Sequence, residues 1–161
     1  SGRRQLDAQD QITLEFAGVY RLYHVALMRT AIVGEPTPRH RELHAACFEA
    51  LAACEAAMRP GNTFGEVFDA HARVMEAHGM TKHRLNACGY SLGARYAPSW
   101  MDPPMFYRDN PAVIAPDMVL FAHMILMDSD AGAAMCLGRT YLTTEGTPEP
   151  LSRHGTELPV R

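Results

Sequence analysis

The chain is predicted to be an α+β domain in which helices cover one face of an antiparallel sheet, and three observations carry that prediction. Two runs rich in branched and aromatic residues, 11–19 and 21–33, stand near the start with only a short break between them. Two stretches of helix-forming residues follow, at 37–59 and 63–79, with apolar side chains at three- and four-residue steps. A second pair of apolar runs, within 117–143, is joined by an acidic and glycine-containing turn. Strands grouped apart from helices give this class rather than an alternating parallel one.

The first hairpin spans 11–33, with its turn expected around Gly18 and Tyr20. Alternation then sets faces: Thr13, Glu15 and Ala17 share one side, and Leu22, His24, Ala26 and Met28 share one side of the partner strand. Gly34-Glu35-Pro36 breaks the strand. Thr37 is the N-cap of the first helix, with Pro38 at its first position. Leu43, Cys47, Leu51, Cys54 and Met58 trace its buried face. Pro60-Gly61 ends it, and Thr63 with Glu66 forms a capping box for the second helix. Phe64, Val67, Phe68, Ala72 and Met75 make the apolar stripe of that helix, and Gly79 stops it.

Residues 80–116 read as a long loop: five of the eleven prolines lie between Tyr90 and Pro116, beside Tyr90, Tyr96, Trp100, Phe106 and Tyr107. Met118–Met127 and Ala133–Thr143 are the second hairpin, turned through Asp128-Ser129-Asp130-Ala131-Gly132. The polar tail, 144–161, is expected to wrap the surface.

Composition excludes several function classes. Apolar residues make up 47% and charged residues 20% of 161, which suits one domain with a real core. A net charge of -3 argues against nucleic acid, which needs a basic face. The longest apolar run, Met118–Met127, is half the length of a membrane span. Cys47, Cys54, Cys88 and Cys136 form no CxxC pair and read as buried thiols of a reducing compartment, so the cytoplasm is the expected location.

Three ordered segments resemble a known family. Leu14-Glu15-Phe16-Ala17-Gly18-Val19-Tyr20, continuing through Tyr23-His24 to Arg29-Thr30, is one. Gly89-Tyr90-Ser91-Leu92-Gly93, with Tyr96-Ala97-Pro98-Ser99-Trp100 after it, is the second. Ile114–Ile125, with the closing strand into Thr143-Thr144-Glu145-Gly146, is the third. Together they resemble the creatinase/aminopeptidase P/prolidase superfamily of peptidase family M24, and within it the ectoine-hydrolase and creatinase-like branch. The resemblance implies the pita-bread fold, a curved antiparallel sheet covered by helices, and a commonly dimeric parent. Family chains are longer, so the segment is expected to be a partial C-terminal catalytic domain. An upstream region, which supplies a catalytic histidine in creatinase-like enzymes, is expected to lie before it.

The departures from the family pattern are equally informative. Metal-dependent members hold two divalent cations with two Asp, one His and two Glu. By resemblance, those positions fall here on Glu15, Ala26, Tyr90, His123 and the stretch Met135–Gly138, which has no acidic residue. A bridged two-metal centre needs carboxylates that this set lacks. No metal and no other cofactor is therefore expected.

What remains is acid–base chemistry. Glu15, His24 and His123 are the catalytic candidates, able between them to take a proton from water and return one to a leaving amine. Tyr90, Arg29, Tyr96 and Trp100 are the substrate-binding candidates, the aromatic rings suiting a cationic or cyclic ligand. A buried Glu15 requires a partner, most simply Arg29 or His24. The resemblance implies C–N bond hydrolysis in a small polar metabolite or dipeptide-like substrate, with no nucleic-acid or membrane partner. Two rival readings stay open: a mononuclear zinc site on His24, His123 and Glu15, and a pseudoenzyme that binds a small molecule or a protein. His40, His44, His71, His78 and His83 read as solvated or structural.

Overall fold

The computed structural model describes residues 4–161. β1 (Asp10–Tyr20) and β2 (Tyr23–Val33) form a hairpin, followed by α1 (Pro38–Ala57) and α2 (Phe64–Ala77). Then come β3 (Ala87–Ser91), β4 (Asp102–Tyr107), β5 (Val119–Asp128), β6 (Ala133–Leu142) and β7 (Glu149–Pro150). The seven strands make one sheet in the order β1-β2-β6-β5-β3-β4, with β7 added beside β6. Every ladder between named strands is antiparallel.

Local chemistry accounts for most of the element ends. Thr37 and Thr63 each accept a hydrogen bond from the backbone N–H three residues on, and His40 and Glu66 return the bond to the cap. The box at Thr37 uses a histidine in the place usually held by Glu or Gln. Gly79 stops α2 at a φ of +68°, a left-handed value that suits glycine. The hairpin turn lies two residues later than the sequence suggests. Tyr20 still pairs with Tyr23, and Arg21 and Leu22 turn the chain with φ values of 47° and 75°. Leu22 is thus a turn residue and does not share the His24 face. A two-residue turn of this hand matches the strand twist, which outweighs the ordinary preference for Gly or Asn there.

Two faces of the sheet carry two cores. On one side Leu43, Cys47, Leu51, Cys54 and Met58 of α1 and Phe64, Val67, Phe68 and Met75 of α2 pack against Leu120, Ala122, Met124 and Leu126 of β5 and Met135, Leu137 and Tyr141 of β6. On the other, Ala26, Met28, Tyr90, Leu92, Phe121 and Cys136 form a smaller cluster with Ala17, Trp100 and Met105 against it. That second face, opposite the helices, corresponds to the concave face of the expected pita-bread fold. The four thiols are free and buried, and burial pushes Cys47 and Cys88 well above the ordinary thiol range.

The segment 80–116 is not a plain loop. It holds β3, which sits between β5 and β4 in the sheet, and β4 at the edge. Its prolines hide this from propensity, because Pro103 and Pro104 stand in an edge strand, where a missing N–H is tolerated. Gly89 makes β3 possible: a Cβ there would collide with the Phe121 carbonyl and the Phe106 ring.

The tail also joins the sheet. β7 pairs with β6, and Val160 bridges Ile32 in parallel. Three successive carbonyls, of His154, Gly155 and Thr156, bond to Arg139, Arg29 and His44 at 2.6, 2.8 and 2.9 Å. The strap ties β6, β2 and α1 together. No described helix is long and apolar enough to cross a membrane.

Candidate functional site

The concave face gathers most of the residues that the sequence singles out. Alternation along β2 brings His24, Ala26 and Met28 to it, and alternation along β5 brings Phe121 and His123. Tyr90 arrives on β3, a paired interior strand, not from a loop.

His24 is buried and doubly tied to one carbonyl. Its backbone N–H donates to Gly93 O at 3.1 Å, and its ring Nδ1 lies 3.1 Å from the same oxygen. A carbonyl only accepts, so Nδ1 carries the proton and Nε2 keeps its lone pair. The imidazole leans on Tyr96, ring centroids 4.7 Å apart, and faces Trp100 at 6.4 Å. Tyr96 is pinned in turn by its hydroxyl, which donates to Leu22 O at 3.0 Å.

Tyr90 is 3% exposed. Trp100 Nε1–H donates to its phenol oxygen at 3.0 Å. Phe121 and His123 flank the ring, each with centroids 5.4 Å away. Burial raises the phenol above its ordinary range, the Trp100 bond draws it back, and the charge of Glu15 adds to the rise. Under this ring His123 is buried, with Nδ1 unpartnered among the described residues. Burial holds its pKa down at about 4, so it is neutral at pH 7.

Glu15 differs from expectation. β1 is an edge strand that neither helix covers, and Glu15 is exposed, as are Leu14 and Phe16 beside it. Partial shielding by neighbouring atoms still raises its carboxyl above the ordinary range. Among the described residues it has no ion-pair partner, neither Arg29 nor His24. Its charge is felt by Tyr90 and by Cys136, which places it over the concave face.

Arg29 does not belong to this face. It lies one residue out of phase with Met28, and its guanidinium donates to the carbonyls of Met28, Gly138 and Gly155 at 2.7, 2.6 and 2.8 Å. It holds the strap instead of a substrate. Arg29→Met is expected to lower stability by about 2–4 kcal/mol, since it strips three charge-assisted bonds and strands buried carbonyls. Urea unfolding measures this, and ligand affinity on the concave face should stay unchanged.

The family's metal positions can be tested against the donors present. Ala26 offers no ligand atom and its backbone is bonded both ways to the Thr140 hydroxyl, at 3.0 and 2.8 Å. Gly138 stands opposite His123 in the β5–β6 register. A Cβ there would come within 2.7 Å of the Phe121 ring, which fills the space an acidic side chain would need. Among the described residues no three His, Cys, Asp or Glu side chains lie close enough to hold an ion. The donors do not fit a two-metal centre, and Glu15, His24 and His123 do not converge as a zinc set.

Sequence reasoning missed three contributors: Gly93, whose carbonyl orients His24; Phe121, which plugs the Gly138 position; and Thr140, which links β2 to β6. Gly93 and Phe121 lay inside the segments that carry the resemblance and Thr140 in the closing strand of the third, but nothing local marked their roles.

Comparison with known proteins adds the following. The model of "Metallopeptidase family M24" matches residues 1–145. An uncharacterized hydrolase/peptidase of Sinorhizobium fredii, y4tL, is 33% identical over 154 residues, covering 93% of this chain and 37% of that protein. The ectoine hydrolase of Halomonas elongata is 27% identical over 148 residues, covering 91% and 36%. The crystal structure of dipeptidase PepE from Mycobacterium ulcerans superposes with a TM-score of 0.90 at 21% identity, covering 99% of this chain and 42% of that one. The fold is the pita-bread one, and the chain spans about two fifths of these relatives.

Proposed function

The chain belongs to metallopeptidase family M24, a superfamily of hydrolases, and from that premise we propose that its concave face cleaves a C–N bond of a small polar substrate without a dinuclear metal centre. The observation that carries this reading is His24. Its Nδ1–H is committed to Gly93 O, so in the neutral ring it is Nε2 that offers the lone pair, on a face that also holds a carboxylate of raised pKa.

In this reading His24 Nε2 takes a proton from a water whose oxygen adds to the substrate's carbonyl or amidine carbon. Glu15, whose carboxyl is shielded enough to sit above its ordinary range, is the group that gives a proton to the departing nitrogen as the C–N bond breaks. The rings of Tyr96, Trp100 and Tyr90 flank the ligand, and their faces favour a cationic or cyclic group. The absence of a donor at Ala26 and of any acidic residue in Met135–Gly138 supports a metal-free route, and the burial of neutral His123 supports a positioning role for it.

The test is a panel of cyclic amidines, creatine-like compounds and Xaa-Pro dipeptides, assayed with and without chelator. Turnover that survives chelation supports the reading. Turnover that needs an added metal ion overturns it. A panel compound that binds and is never cleaved gives the site to a binding protein instead.

A further inference from the structure

We propose that the Tyr90 hydroxyl, held in place by Trp100, is the hydrogen-bond donor that receives the carbonyl oxygen of the ligand, with Trp100 as its positioning residue. This rests on reading the concave face as the active site, but it names the polar group that the ligand must carry there.

A phenol has one proton to donate and two lone pairs. An indole N–H only donates, so the 3.0 Å bond from Trp100 Nε1 occupies a lone pair of the Tyr90 oxygen. The phenol proton is thereby free, and no described residue accepts it. The ring cannot swing away to find water, because Phe121 and His123 flank it and the residue is 3% exposed. A buried donor without an acceptor is costly, and a ligand oxygen removes that cost. Burial keeps the phenol protonated at neutral pH, so it stays a donor. The faces of Tyr96 and Trp100 favour a positive charge, so the fitting ligand pairs a carbonyl oxygen with a cationic group. During hydrolysis, the oxygen that accepts from Tyr90 is the one that gains negative charge as water adds. The bond strengthens at that moment, which is what lowers a barrier.

The protein has a single tryptophan, so its ¹H–¹⁵N spectrum contains one indole N–H signal, and that signal reports on this hydrogen bond. Glycinamide, which carries an ammonium group and an amide carbonyl, is the probe. Propylammonium, of similar size and the same charge, has no carbonyl and is the control. The expected result is a saturable shift of the indole signal with glycinamide, none with propylammonium, and loss of the response in Tyr90→Phe. An unresponsive wild-type signal, an equal response to propylammonium, or a response that persists in Tyr90→Phe would each overturn the assignment. The comparison of the two amines in the wild-type chain stands even if the variant folds poorly.

With a substrate from the panel, Tyr90→Phe is expected to lower kcat about 100-fold with KM little changed. Trp100→Phe should lower kcat less and raise the Tyr90 ionisation seen at 295 nm, whereas a merely structural tryptophan would leave that ionisation where it was. Absence of any turnover would sink the hydrolase reading alone, and the amine titration would still decide the Tyr90 site.

Discussion

Glu15→Gln is expected to lose C–N hydrolysis by about 100-fold or more while unfolding at the same urea concentration as the wild-type chain. The two halves of this expectation have separate causes. Glu15 lies on an uncovered edge strand with no ion-pair partner among the described residues, so little of the fold depends on its charge. Its carboxyl is nonetheless shielded enough to hold a proton above the ordinary range, and an amide can neither give nor take that proton. The pH profile sharpens the test. An acid of raised pKa makes the rate fall as pH climbs through that value, and the limb should vanish in the variant. A Glu15→Gln chain that turns over substrate normally would remove Glu15 from the site, whatever the enzyme proves to be.

The second large effect concerns stability in acid. His71 and His123 are both buried with an unpartnered Nδ1, and burial holds both pKa values at about 4. A folded pKa below the unfolded one means that the fold prefers the neutral ring. Each ring's contribution is complete above the unfolded value of about 6.5 and is lost as pH falls toward 4, because only the unfolded chain takes up the proton. The loss amounts to about 2–3 kcal/mol for each histidine, from a shift of some two units at 1.36 kcal/mol per unit. Urea midpoints measured from pH 7 to pH 4 should therefore drop steeply, and His71→Leu should flatten the slope by one proton. A slope untouched by that substitution would show that His71 is not the group that resists protonation. The carboxylates held below their ordinary range, Asp10, Glu66 and Asp128, add their own loss only below about pH 5, so the slope from about pH 6.5 to pH 5 reads the histidines.

Much of the plan was readable from residue order. The caps at Thr37 and Thr63, the buried stripe of α1 and the second hairpin all follow from local pattern, and the structure places them as read. The placement of His24 and His123 on one sheet face was also legible, because a strand alternates, whereas Tyr90 was read on a loop and stands on β3. Arg29 and His24 do not meet, because they are five residues apart on one strand and an odd separation puts them on opposite faces. The partner proposed for Glu15 failed because burial was inferred from apolar neighbours. Leu14 and Phe16 are apolar and yet exposed, at 45% and 53%.

The sequence by itself determined the α+β class, the family, and the absence of carboxylates at the family's ligand positions. These depend on residue identity and short-range spacing, which a single chain displays directly. Only the tertiary structure decided what now occupies those positions. Phe121 fills the space beside Gly138, Thr140 takes the backbone of Ala26, Gly93 selects the tautomer of His24, and Trp100 fixes the phenol of Tyr90. All four contacts join different strands or a strand and a loop, from 10 residues apart for Trp100 with Tyr90 and 17 for Gly138 with Phe121 to 69 and 114 residues apart for Gly93 with His24 and Thr140 with Ala26. No local propensity encodes such meetings. They exist because the β2–β6, β5–β6 and β3–β5 registers bring those residues together, and the register is settled by burial on both faces of the sheet at once.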